Sequence, residues 1–156
     1  MNWNETMISD QSGKSVIITG SNTGIGYFMV KALASKGANV TMACRNLQKA
    51  ERSKDRILTE FPNSSISTKK LDLADLSSIE KFATNFSNEN NQLDVLINNA
   101  GVMIPPKSST KDGFELQFGT NHLGHFALTG RLLQILNQTK NSRIITVSSV
   151  AHNAGR

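Results

Sequence analysis

Cysteine, tyrosine and tryptophan each occur once in the 156 residues, and proline three times. A lone Cys44 excludes an intrachain disulfide framework and a cysteine-rich zinc site. The histidines His122, His125 and His152 have no cysteine partner at ligand spacing, so no metal site is expected. No apolar run approaches ~18 residues, so no transmembrane span is predicted. Residues 1–13 are polar and contain no apolar core of a signal peptide, so secretion is not signalled. One free thiol fits a reducing cytoplasm. One Tyr, one Trp and seven Phe leave little surface on which nucleic-acid bases would stack.

Seventeen Lys and Arg against twelve Asp and Glu give a net charge of +5 and a sequence pI near 9.6. The excess is spread along the chain. The densest stretch, 49–56, interleaves Lys49, Arg52, Lys54 and Arg56 with Glu51 and Asp55, as a solvated helix face does. A nucleic-acid binder would rest on the pI alone.

Short β-branched or apolar runs alternate with amphipathic segments. Strands are predicted at 15–19, 39–44, 65–71, 93–98 and 143–148. Ile25, Met29, Ala32 and Leu33 recur at helical spacing, and Gly37 ends that helix. Leu47, Ala50, Ile57, Leu58 and Phe61 mark a second helix, stopped by Pro62. Asp75 caps a third, carrying Leu76, Ile79, Phe82, Ala83 and Phe86 on one face. Pro105 and Pro106 open a polar loop, and a long helix is expected over 113–137. Met29, Met42 and Met103 are read as core residues, and His122 and His125 as packing or surface residues. Regular alternation of strand and helix predicts an α/β, Rossmann-like, doubly wound parallel sheet of order 3-2-1-4-5. Residues 1–13 read as a loose leader, and 14–156 as one nucleotide-binding domain.

The strongest local pattern is Thr19-Gly20-Ser21-Asn22-Thr23-Gly24-Ile25-Gly26, which leaves a strand and opens a helix. Glycines there permit a tight turn and a close backbone approach to a pyrophosphate, and the helix start offers N–H groups to it. The plain alternative is an ordinary strand–helix turn. At the end of the second strand, where a free ribose 2′-hydroxyl meets an Asp or Glu, stands Arg45. A guanidinium pairs with phosphate and a carboxylate repels it, so Arg45 points to NADP rather than NAD. Otherwise it is an exposed strand-end arginine.

With these residues in view, the chain resembles the short-chain dehydrogenase/reductase family, in the branch of retinol dehydrogenases and WW-domain oxidoreductases. The likeness rests on 19–26, Asp72-Leu73, Asn98-Asn99-Ala100-Gly101, Asn121-His122-Leu123-Gly124-His125-Phe126 and Val147-Ser148-Ser149. The resemblance implies that Asp72, with Leu73, meets the adenine. It implies that Asn99, Ala100 and Gly101 steady the adenosine half of the cofactor, and that Asn121 and Ser149 are catalytic. Read without it, 98–101 is a turn, Asn121 a solvated helix residue and Ser149 a structural strand-end serine.

The family's Tyr-x-x-x-Lys pair has no counterpart after the fifth strand. Tyr27 and Lys31 share its spacing but follow the glycine loop on the first helix, and are not expected to be catalytic. The resemblance therefore implies the N-terminal part of such a protein, cut before the tyrosine helix and the last strands. Full-length relatives are expected to be homo-oligomers acting on a small carbonyl or alcohol. Two functions remain open: an NADP-dependent oxidoreductase, or a catalytically silent nucleotide-binding fragment.

Overall fold

The computed structural model describes residues 4–150 and 153. His152 lies outside the described residues, as do positions 1–3 of the expected leader. Five strands, β1 (Ser15–Thr19), β2 (Asn39–Cys44), β3 (Ile66–Lys70), β4 (Val95–Asn98) and β5 (Arg143–Thr146), form one sheet of order β3-β2-β1-β4-β5. Every pairing is parallel, with Ile17 beside Thr41 on one side and Leu96 on the other. The expected α/β Rossmann-like order is the observed one. All strand C-termini therefore share one edge of the sheet, the edge at which ligands bind in open α/β folds.

Alternation along the strands divides the core in two. Val16, Ile18, Met42 and Ile97 face the helices α1 (Gly24–Ala34) and α2 (Leu47–Glu60), where Val30, Ala34, Ala50 and Ile57 are buried. Ile17, Ala43 and Leu96 face α3 (Leu76–Glu89) and α5 (Gly124–Gln138), meeting Phe82, Phe86, Leu128 and Leu132. Central strands covered on both faces need near-continuous apolar sequence, which Val-Ile-Ile and Val-Leu-Ile supply. Asp75 caps α3 as expected, accepting N–H bonds from Ser77 and Ser78, and Asn46 caps α2. The segment before β1 lies along the end of α1, where the Gln11 N–H donates to the Lys36 carbonyl at 2.8 Å.

Several elements differ from the sequence reading. β4 begins at Val95 rather than at 93: the Leu93 N–H leaves the sheet for Thr139 Oγ1, while the Asp94 main chain still bonds to Ser15 and Arg143. The long helix starts at Leu116 and is not continuous: α4 (Leu116–Phe118) passes through a wide π turn (Gly119–Leu123) into α5. On α1 the inward face is Gly26, Tyr27, Val30 and Ala34, while Ile25 is exposed. The glycine loop sets that phase, turning the helix start toward the sheet edge. Met42 is buried, Met29 packs against the core, and Met103 is exposed in the loop after β4. Tyr27 belongs to the core, with the Arg56 guanidinium 5.3 Å from its ring centre.

Candidate functional site

A cavity of about 480 Å³ opens at the C-terminal ends of β1, β2 and β4. Its floor is the turn after β1. Gly20 has φ +63°, and a Cβ there would lie 2.7 Å from the Ala100 Cβ, so only glycine lets the ends of β1 and β4 meet. Gly24 has φ +58° with open space where a side chain would stand. α2 and α3 begin with side-chain caps, whereas Thr23, at the start of α1, makes no side-chain cap bond. The first N–H groups of α1 thus face the cavity end without a capping side chain, which suits an anion.

Gly20, Asn22, Thr23, Ile25, Gly26, Arg45, Asp72, Leu73, Asn99, Ala100 and Gly101 all line this cavity, so it gathers most of the predicted site residues. Ser21 turns inward instead: it is buried, and its hydroxyl donates to the Ile18 carbonyl at 3.0 Å. Cys44 lies beside it with Sγ 3.7 Å from Ser21 Oγ, and burial pushes its thiol pKa up, so it stays a thiol. Asp72 Oδ1 accepts the Ala74 N–H at 3.0 Å.

Of the further lining residues, three with polar side chains escaped the sequence reading. Asn46 and Lys49 stand one helical turn apart at the start of α2, beside Arg45. The Asn46 cap at the strand end was the available signal, because it points the first turn of α2 toward the same edge. Thr120 also lines the cavity, and its buried hydroxyl has no hydrogen-bond partner among the described residues. Nothing in the sequence distinguishes it from any threonine beside Asn121.

Asn121 sits in the π turn, and its side chain grips one residue by both backbone atoms. Its Oδ1 accepts the Val102 N–H at 2.8 Å and its Nδ2 donates to the Val102 carbonyl at 2.8 Å. π turns inside helices recur at functional sites. Ser149 is exposed just beyond β5, at the same sheet edge but outside the cavity lining. His122 is exposed and stacks on Phe118, with ring centres 5.3 Å apart. His125 is buried and bonded at both ring nitrogens, to the Asn121 carbonyl and to Thr19 Oγ1, each at 2.9 Å. Burial holds its pKa below the usual histidine value, and the bond to Asn121 opposes that shift. Asn98 Nδ2 donates to Thr129 Oγ1 at 3.2 Å.

Among the described residues, no cluster of His, Cys, Asp or Glu could hold a metal ion, and no helix is long and apolar enough to cross a membrane.

The family model described as short chain dehydrogenase matches residues 14–156. The chain is 51% identical over 144 residues to retinol dehydrogenase 11 of Homo sapiens, covering 92% of this chain and 45% of that protein. It is 50% identical over 143 residues to human retinol dehydrogenase 13, covering 92% and 43%. It therefore spans about half the length of the curated relatives it matches. Among solved structures, an uncharacterised protein of Mycobacterium paratuberculosis superposes with TM-score 0.87 at 42% identity, covering all of this chain and 53% of that one. A metagenomic short-chain oxidoreductase in complex with NADP superposes with TM-score 0.80 at 26% identity, covering 92% and 65%.

Proposed function

The chain belongs to the short-chain dehydrogenase family, and from that premise we propose that its cavity takes NADP(H). The bound cofactor would serve hydride exchange with a small carbonyl or alcohol. One observation carries the cofactor choice. Arg45 and Lys49 both line the cavity at the end of β2, and among the described lining residues Asp72 is the only carboxylate. A ribose 2′-phosphate gains charge-assisted hydrogen bonds from such cations, and a bare 2′-hydroxyl does not need them. The relative solved in complex with NADP supports this reading.

The cavity also fits a dinucleotide on its own chemistry. A buried Thr120 hydroxyl with no partner among the described residues calls for a polar ligand at this wall, and the uncapped start of α1 calls for an anion. On this reading the backbone of 20–26 holds the pyrophosphate, including the main chain of Ser21, whose side chain is engaged below. Arg45 and Lys49 hold the 2′-phosphate, Asp72 and Leu73 meet the adenine, and Asn99, Ala100 and Gly101 form the wall. When bound, the nicotinamide supplies or accepts the hydride. On the substrate side, Asn121 would act through Val102, which its amide holds, and Ser149 would be the hydroxyl residue nearest the reacting group. The relatives named retinol dehydrogenases favour an apolar alcohol or aldehyde, and the exposed Met103 and Ile104, between Val102 and the polar loop, suit one. Those enzyme names also disfavour a catalytically silent fragment.

Thermal unfolding with added NADPH tests the reading. A ligand at 100 times its Kd adds about 2.7 kcal/mol of stability, so the melting midpoint should rise with concentration. An unchanged midpoint at millimolar NADPH would contradict it.

A further inference from the structure

His125 closes a ring of hydrogen bonds around the cavity wall. Thr19 Oγ1, at the end of β1, accepts the N–H groups of Asn99 and Ala100, each at 2.9 Å. Two residues further on, Val102 is gripped by the Asn121 amide. The Asn121 carbonyl meets His125 Nδ1, and His125 Nε2 returns to Thr19 Oγ1. The segment so enclosed, 99–102, lines the cavity throughout.

Counting donors and acceptors fixes the proton positions. A carbonyl only accepts, so the nitrogen facing the Asn121 carbonyl carries a proton. Thr19 Oγ1 has two lone pairs, and two N–H groups fill them. Its one hydroxyl proton must point outward, and Nε2 at 2.9 Å is a nearer acceptor than the Ile97 carbonyl at 3.4 Å. Nε2 therefore accepts, and the ring is neutral with its proton on Nδ1. A protonated ring would confront a saturated oxygen with a second donor.

We infer that His125 is a positioning residue, which ties the phosphate-side turn at Thr19 to Asn121 and so sets the 99–102 wall between cofactor and substrate. This rests on the nucleotide reading above for its cofactor consequence, but the bridge itself does not need it. A residue that only filled the core would be replaceable by an apolar ring of similar size. A bridging residue would not, and an amide able to donate and accept would restore part of its effect.

Nitrogen-15 spectra of the chain near pH 7 read the His125 tautomer directly. The expected pattern is a neutral ring protonated at Nδ1; a ring protonated at Nε2 or at both nitrogens would overturn the inference. His125→Phe should speed exchange of the Val102 amide proton about tenfold and weaken NADPH binding about five- to tenfold, with His125→Gln recovering much of both. A His125→Phe chain that matches the original in exchange and affinity would also overturn it. If His125→Phe fails to fold, the tautomer of the unaltered chain still decides. Failure of the unaltered chain to take up NADPH would count against the nucleotide reading, while tautomer and amide exchange still judged the bridge.

Discussion

Gly20 and Ala100 mark the point where the ends of β1 and β4 touch: a Cβ added at Gly20 would lie 2.7 Å from the Ala100 Cβ and 2.8 Å from its Cα. The contact is backbone against a short side chain, so neither partner can swing away. At φ +63° the position is also strained for any L side chain. Gly20→Ala should cost about 2–4 kcal/mol from overpacking and backbone strain together. Chemical denaturation checks this; a loss below about 1 kcal/mol would show that the turn can relax.

Leu132 and Leu133 are neighbours on α5 with opposite fates. Leu132 is fully buried against α3 and the sheet, whereas Leu133 is 44% exposed. Leu132→Ala should cost about 2–5 kcal/mol, and Leu133→Ala less than about 1 kcal/mol. Urea midpoints of the two variants measure the difference, and equal losses would contradict the assignment of the helix face.

Asp75 both caps α3 and pairs with Lys111, whose ammonium lies 2.8 Å from Oδ2. The Lys111 ammonium and the Ser77 hydroxyl, with the capped N–H groups, hold its carboxyl well below the ordinary value of 3.8. A carboxylate depressed by folding stabilises the native chain fully above its unfolded pKa, and that contribution disappears as pH falls toward the folded value. Stability should therefore decline below about pH 4, and Asp75→Asn should flatten that part of the decline. Thermal midpoints between pH 6 and 2.5 would read it; an unchanged profile in Asp75→Asn would remove Asp75 from the account.

The sheet order was legible because strand-like and helix-like runs alternate regularly along the chain, with β1, β2 and the Asp75 cap of α3 as clear markers of that alternation. Helix phase was less legible. Ile25 satisfies an apolar spacing yet lies exposed at the cavity, because the glycine loop, rather than hydrophobicity, orients the start of α1. On α5, Phe126 is 74% exposed while Leu128, two residues on, fills the core. The π turn carries no compositional mark that separates it from α-helix. His125 could not be assigned from sequence, since its meaning depends on Thr19, 106 residues away. Lys49 was hidden in a mixed-charge helix face, and only the start of α2 beside Arg45 reveals that it lines the cavity.

On the proposed reading, Arg45 and Lys49 at the end of β2 select a phosphorylated ribose. Titration calorimetry of the chain with NADPH and with NADH, repeated for Arg45→Asp, tests it most directly. The original chain should bind NADPH more tightly. Loss of the charged hydrogen bonds, worth about 1.5–3 kcal/mol, should weaken NADPH binding by roughly ten- to a hundredfold in Arg45→Asp and abolish or reverse the preference. Equal affinities for the two cofactors in the original chain, or a preference unaltered by Arg45→Asp, would contradict the account.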